Sequence, residues 1–459
     1  MIYLVFHGLS VLWGELVLFA AVGFLAGGLD ELLVDFIWLA RALWKRSFIY
    51  SRHARVSAAT LAAPIAPGLI VIFIAAWDEG AVIGAMLRYA LAKLDHPDYR
   101  IYLGCYPNDQ ETITAASQIV DPRLRIVVGA KNGPTTKADC LNALWQALLG
   151  DEITTGVRAK AIVLHDAEDV VHPDELRVFD TLIERFALVQ LPVFPLINRQ
   201  SRWVAGHYAD EFAEAHRKTL VVREALGAAL PAAGVGCAFA RDMLERIADV
   251  NGGHPFDIES LTEDYELGLK IGAFGGQGVL ARLPTAHACV QINAYFPATL
   301  RAAVRQKARW IIGISLAGYD RLGWSGGLAE RWMRLRDRSA LIAAVVMCAG
   351  YLAVVLGAVL VLAHIMVGTP LPTLAPLIAR LVAVNALLMV WRAGVRSYFV
   401  TQLYGWREGL IALPRAVVAN IIAMMAARRA LFQYLQMRRS GIAVWDKTAH
   451  IFPAELQFG

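Results

Sequence analysis

The sequence predicts an α/β domain with a mostly parallel sheet, joined to α-helical transmembrane and interfacial segments. Three observations predict it. From Leu69 onward, apolar runs of strand length alternate with helical patterns, the signature of strands joined by crossover helices. One of those runs, Lys160-Ala161-Ile162-Val163-Leu164-His165, stops abruptly in Asp166-Ala167-Glu168-Asp169. An open α/β sheet builds its ligand site beyond the carboxyl ends of such strands. Finally, Ala340 to Ala363 carries no charge and is long enough to cross a bilayer.

Composition agrees. The chain has 459 residues, room for two or three domains, and is 57% hydrophobic. A mean hydropathy of +0.48 is too apolar for an ordinary soluble enzyme. The net charge of +5 is modest, and the cations gather beside apolar segments, which fits membrane orientation better than nucleic acid. No nucleic-acid-binding signature occurs. Five scattered cysteines without CxxC spacing read as buried thiols in a reducing compartment.

The first candidate span runs from Val5 to Leu29 and holds Glu15, either a functional group or one paired with a neighbouring helix. It lacks a cationic N-terminal region and a cleavage site, so a retained anchor is expected. Arg41, Lys45, Arg46, Arg52 and Arg55 follow, placing the N-terminus outside and what comes after in the cytoplasm. Asp30 to Trp44 suits a separate helix in the headgroup region.

In the α/β part, strands are expected at Leu69 to Ala76, Tyr99 to Cys105, Leu124 to Ala130, the acidic-tipped run and Leu188 to Pro195. Helices are expected through Lys93, from Thr135-Thr136 to a stop at Gly150, from Asp174 to Ala187, and from Phe212 to Leu226. Ala233-Gly234-Val235-Gly236 suggests backbone approaching a ligand closely. A third span is expected from Leu374 to Trp391. Val417 to Ala427 is too short to cross, and Arg428, Arg429, Arg438 and Arg439 follow it, so it reads as re-entrant or interfacial. The expected divisions are 1–60 for the first span and interfacial helix, 61–336 for the α/β domain, 337–395 for two spans, and 396–459 for interfacial helices and a cytoplasmic tail.

Several clusters carry candidate chemistry. Asp166 and Glu168 are suited to Mg²⁺ or Mn²⁺, which take hard oxygen ligands and complete their shells with water and phosphates. The same residues could be a solvated loop before a helix start at His172-Pro173. Thr262-Glu263-Asp264 opens a helix, where acids can also serve the helix dipole. Gln306, Arg309 and Trp310 share one helical face, either converging on a ligand or meeting lipid headgroups. Zinc and EF-hand calcium spacings are lacking.

In this order, the strand-end acid Asp109, Asp166-Ala167-Glu168, Thr262-Glu263-Asp264 and Gln306-Lys307-Ala308-Arg309-Trp310 resemble the D, DxD, TED and QxxRW marks of family-2 membrane glycosyltransferases with a GT-A fold. Gly133 to Asn142, Ser260 to Tyr265 and the tail Val444-Trp445-Asp446-Lys447-Thr448-Ala449-His450 resemble a phage-adsorption branch of that family, from about Gly28 almost to the end. Members of that branch continue into a cyclic-di-GMP-binding domain. Glu168 departs from the DxD pattern, lengthening one ligand arm without removing its charge.

The resemblance implies a cytoplasmic GT-A domain in the bacterial inner membrane that takes a sugar from a UDP-sugar, N-acetylhexosamine by likeness, and inverts it onto a growing exopolysaccharide. By the same likeness, Asp109 contacts the nucleotide base with Lys137 and Glu79 nearby, and Asp166 and Glu168 hold the metal. Arg309 grips the phosphates, Asp264 beside Thr262 and Glu263 is the general base, and Gln306 and Trp310 serve the nucleotide sugar and its acceptor. One base and one leaving diphosphate give a single inversion. Three spans make a self-contained export channel doubtful, so an outer-membrane or periplasmic partner, or a homo-oligomer, is expected beside the lipid bilayer. The alternatives are single addition to a polyprenyl-phosphate carrier, or a non-catalytic phage-receptor or secretion component.

Overall fold

A computed structural model describes residues 2–286, 288–440 and 450–453. Its first element, α1 (Ile2–Trp44), is one helix of 43 residues. The expected change from a span to a separate interfacial helix at Asp30 does not occur. No proline interrupts the stretch, and its carboxylates find partners without leaving the helix. Trp332 donates to Asp30 at 2.6 Å, Arg392 meets Glu31 at 2.8 Å, and Lys218 meets Asp35 at 2.5 Å. A π-helical turn, Lys45–Ile49, extends α1.

The α/β domain opens with β1 (Leu69–Ala75), α2 (Ile83–Lys93), β2 (Tyr99–Cys105), α3 (Gln110–Ser117), β3 (Leu124–Val128), α4 (Lys137–Thr155), β4 (Ala159–His165) and α5 (Glu175–Leu182). Next come β5 (Leu188–Gln190), β6 (Val193–Pro195), α6 (Gly206–Glu214) and α7 (Leu220–Ala225), the last two bridged by a π-helical stretch, Ala215–Thr219. It closes with β7 (Cys237–Ala240), α8 (Arg241–Val250), α9 (Glu263–Ala273), β8 (Gly278–Leu280), β9 (Ile292–Ala294) and α10 (Leu300–Ile311). Seven strands form one sheet in the order β3-β2-β1-β4-β7-β5-β8, while β6 and β9 pair separately. Only β7 runs antiparallel to its neighbours, so the sheet is mostly parallel as expected.

Helices cover both faces of this sheet, which explains why β1 is apolar throughout. Ile70, Ile72 and Ile74 pack with Met86 and Leu87 of α2 on one side. Val71 and Phe73 pack with Leu144 and Trp145 of α4 on the other. A strand buried on both faces has no polar alternation to show.

Element boundaries differ from the sequence reading in several places. The α4 helix passes Gly150 and ends at Gly156, which adopts the left-handed conformation with φ 70°. An interior glycine costs only about 1 kcal/mol, and the extra turn lets Asp151 accept from the Tyr102 hydroxyl at 2.6 Å. The expected strand Leu188 to Pro195 divides in two around Pro192, which has no amide hydrogen to give a ladder. The helix expected up to Ala187 stops at Leu182.

After α10 the chain continues through a π-helical segment, Ile312–Ala317, then α11 (Gly318–Leu322), α12 (Leu328–Arg338), α13 (Ala340–Val367), α14 (Pro376–Tyr404) and α15 (Trp406–Ser440). Among the described residues four helices are long and apolar enough to cross a membrane: α1 with its π-helical turn, α13, α14 and α15. The last corrects the reading of Val417 to Ala427 as a short segment. That stretch is the middle of a 35-residue helix that accommodates Pro414. It lies against the α/β domain, with Ile422, Ala426 and Ala430 packed on Ala303, Val304 and Ala308 of α10.

Candidate functional site

A cavity of about 150 Å³ opens beyond the carboxyl ends of β1 and β4. Its wall holds Glu79, Lys137, Asp166, Glu168, Thr262, Glu263, Asp264, Gln306, Arg309 and Trp310, so distant segments converge on one space. Every residue given a catalytic, nucleotide-sugar or metal role from the sequence is on that wall except Asp109.

The acidic tip of β4 is held by a buried histidine. His165 lies between Asp169 at 2.8 Å and Glu175 at 2.9 Å. Burial opposes its charge, but these two carboxylates outweigh burial and push it up to about 10, so both ring nitrogens donate. Asp169 also accepts from the Asp166 amide at 3.0 Å, closing the turn that presents Asp166 and Glu168.

Lys137 follows directly after Thr136, whose hydroxyl caps α4 by accepting from the Asp139 amide. Its ammonium reaches Asp166 at 2.5 Å and Glu263 at 3.8 Å. Burial pushes the Asp166 carboxyl up, but Lys137 outweighs that effect and holds it below the usual range. Without such a close partner, burial pushes Glu263 up to about 7 and raises Asp264 as well.

Glu168 faces another part of the same cavity. Its ligand atoms lie with those of Glu79 and His450 within 4.8 Å of one another, a set that could hold a metal ion. His450 Nδ1 is 2.7 Å from Glu79 and 3.1 Å from Glu168. Burial, and then repulsion from neighbouring carboxylates, pushes Glu168 up to about 8 despite His450. Two carboxylates and an imidazole crowded together are the donor set a divalent cation would relieve. Of the two expected metal ligands, Glu168 belongs to this trio and Asp166 is taken by Lys137. Sequence reasoning missed His450 as a ligand, because no spacing rule links it to residues so far upstream. The rest of that tail, 441–449, lies outside the described residues.

Asp109 caps α3. One of its oxygens accepts from the Thr112 amide at 3.3 Å and the other from the Asp78 amide at 2.6 Å. Thr112 in turn accepts from the Glu79 amide at 2.9 Å. Asp109 therefore sets the loop that carries Glu79, while staying off the cavity wall.

Two glycines allow close approaches at the base of the cavity. Gly234 has φ +80°, and a Cβ there would sit 2.5 Å from a carboxylate oxygen of Asp264. The buried amide of Gln190 fixes this loop, accepting from Ala233 and donating to Val235 and Gly236. The glycine run thus meets a carboxylate of the protein. A Cβ on Gly313 would strike the Thr262 hydroxyl.

Arg309 Nε, Gln306 Oε1 and Thr262 Oγ1 are buried without a hydrogen-bond partner among the described residues. Buried polar atoms are normally satisfied, and all three residues border the cavity, so a polar ligand would complete them. Trp310 supplies the apolar side, next to Tyr208 and Phe212 at ring separations of 6.0 and 6.3 Å.

Comparison with known proteins agrees with this geometry. The family model described as "Glycosyltransferase like family 2" matches residues 67–313. Bacteriophage adsorption protein B of Escherichia coli K12 is 35% identical over 95% of this chain and 61% of its own length. Bacteriophage N4 adsorption protein B of Escherichia coli O157:H7 gives the same values. The chain therefore spans about three fifths of the curated relatives it matches. A mannosyltransferase from Pyrobaculum calidifontis, solved with GDP-Man and Mn²⁺, shares the fold at a TM-score of 0.54 and 16% identity, covering 90% of this chain and 98% of that one.

Proposed function

The chain belongs to glycosyltransferase family 2 and has the GT-A fold, and on that premise we propose that it is an inverting, metal-dependent enzyme of the bacterial inner membrane. The donor is a UDP-sugar, with N-acetylhexosamine as the sugar, and the acceptor is a growing exopolysaccharide. One observation carries this reading: Asp166, Asp264, Arg309 and Trp310 border a single cavity.

Each residue then has work suited to its chemistry. Arg309 and Lys137 face the leaving diphosphate, and a guanidinium grips phosphate oxygens in pairs. Asp264 accepts the proton of the attacking acceptor hydroxyl, which needs its ionised form. Glu263 and Thr262 hold the start of α9 around it. Trp310 offers a flat apolar face for the acceptor sugar, and the free Gln306 oxygen takes a sugar hydroxyl. Asp109 acts through the loop it ties down, ahead of the nucleotide. Glu79, Glu168 and His450 would hold the cation, and the imidazole favours Mn²⁺ over Mg²⁺. When bound, such an ion neutralises the charge of the departing diphosphate.

The enzyme works from the cytoplasmic side as a multi-pass membrane protein. In this reading α1, α13 and α14 cross, and α15, which is also long and apolar enough to cross, lies along the membrane surface where it packs on α10. Export of the polymer then falls to an outer-membrane or periplasmic partner, or to an oligomer.

The test is UDP release by purified protein with Mn²⁺. Asp264→Asn should lower it by about 10²- to 10⁴-fold, the usual worth of a general base, while UDP still binds. Unchanged release in Asp264→Asn would overturn the assignment, and product length on a gel separates polymerisation from single addition to a polyprenyl phosphate. The relatives' name favours a second reading, a role in phage adsorption. Infection that persists in an Asp264→Asn host would assign that role to the protein as a component, independent of its chemistry.

A further inference from the structure

Five cations meet where α1 leaves its apolar stretch, on a flank of the α/β domain away from the cavity wall. Arg41, in the last turn of α1, donates to the Val221 carbonyl at 2.7 Å and faces Glu224 at 3.6 Å. Lys45, one turn later, is within electrostatic reach of Arg41, Arg55 and Arg282. Arg55 donates to the carbonyl of Arg282 at 3.0 Å, so these two residues adjoin. Arg217 is docked on the same side through its carbonyl, which accepts from Trp38 Nε1 at 3.0 Å. Arg55 links the group, lying near both Arg217 and Arg282.

Glu224 opposes Lys45 and Arg282, and Arg41 already faces it. The Arg217 and Arg282 side chains have no salt-bridge partner among the described residues. Loop cations near a membrane are ordinarily solvated and need no counter-ion, as Arg46 and Arg52 are here. Arg217 and Arg282 are half-buried instead. Burial, chiefly, pulls both guanidiniums below their usual range, and for Arg282 the neighbouring Arg55 and Arg41 act in the same direction against Glu224. Half-buried like charges in excess of their counter-charge are costly and are normally paired.

The surroundings say which anion fits. Trp44, Phe48 and Tyr50 project into solvent from the same end of α1 and its π-helical turn, at 53%, 57% and 45% exposure. Aromatic side chains beside cations at the end of an apolar helix mark the headgroup layer of a bilayer. We propose that Arg41, Lys45, Arg55, Arg217 and Arg282 form a binding site for the phosphate of an anionic lipid headgroup. The site is separate from sugar transfer and needs only that α1 sits in a membrane.

The full chain is tested in nanodiscs of phosphatidylcholine alone, of phosphatidylcholine with phosphatidylglycerol, and of phosphatidylcholine with inorganic phosphate in the buffer. Phosphatidylglycerol should raise the melting temperature and remain bound in native mass spectrometry, whereas inorganic phosphate should do neither. The double variant Arg217→Gln/Arg282→Gln should retain roughly 30-fold less lipid, the weight of two surface cations. Arg217→Lys/Arg282→Lys, which keeps the charge, should retain most of it and guards against a folding defect. Arg46→Gln/Arg52→Gln should behave as wild type. Equal lipid loss in the two glutamine pairs would reduce the cluster to general surface attraction and overturn the site. An equal rise with inorganic phosphate would assign it to a soluble anion instead.

Discussion

Histidine shows how far a single residue type is set by its neighbours. His165, between two carboxylates, is held charged, while His207 and His216 are buried among rings and held neutral. Burial pushes His207 down to about 4 and His216 down to about 3. His216 stacks on Phe212 with ring planes 15° apart. Below the ordinary value of 6.5 the unfolded chain takes protons at these positions and the native chain does not, so stability falls with pH from there towards 4. The melting temperature should drop across that interval, and His216→Gln should reduce the slope; an unchanged slope would contradict the burial argument. Legibility at this scale was uneven. Asp166 and Glu168 follow the end of β4, Thr262 to Asp264 open α9, and Gln306, Arg309 and Trp310 share a face of α10, and all of them lie on one cavity. His450 escaped notice because its partner Glu79 is 371 residues away and nothing local marks it. Asp109 looked like a ligand because strand-end acids often are, yet both of its oxygens are used by backbone amides.

At the scale of elements, α15 rests on α6 through a buried ion pair. Arg415 is fully buried and meets both oxygens of Asp210 at 2.8 Å, with Glu408 at 3.2 Å. Gly206 lets the helices approach, since a Cβ there would overlap the guanidinium. Removing one partner of a buried pair costs about 3–5 kcal/mol because the other charge is stranded. Asp210→Ala should therefore lower the melting temperature and open α15 to proteolysis. An Asp210→Ala protein as stable as wild type would mean that apolar packing on α10 alone holds α15 in place. The central strands were legible because burial on both faces leaves uninterrupted apolar runs. The length of α15 was not, because Pro414-Arg415 read as a break ahead of a short apolar stretch, whereas Arg415 is buried against Asp210 of α6. The continuity of α1 was hidden in the same way, since Asp30, Glu31 and Asp35 read as an exit from the bilayer until their partners are known.

Over the whole molecule, those acids of α1 join the apolar helices to the α/β domain. Lys218 is 1% exposed and reaches Asp35 at 2.5 Å, Glu214 at 2.6 Å and Glu31 at 3.3 Å. Arg392 and Arg396 of α14 meet Glu31 and Glu214, so one network spans three parts of the chain. Lys218→Met leaves Asp35 with only the Trp391 indole as a partner, at about 3–5 kcal/mol, while Glu214 keeps Arg396. The variant should lose its fold in detergent at lower temperature than wild type, and adding Asp35→Asn should restore part of the loss. Additive losses in the double variant would show that the two residues do not act on each other.

The seating of Phe452 carries one more consequence. Its ring is 2% exposed, packed 5.7 Å from Tyr89 on α2, and it fixes His450 two positions earlier beside Glu79 and Glu168. A nascent chain therefore leaves the ribosome with its sheet complete long before this trio can assemble. A product terminated just ahead of residue 450 would keep the strands of the sheet but lack His450, and should bind Mn²⁺ more weakly than the longer chain.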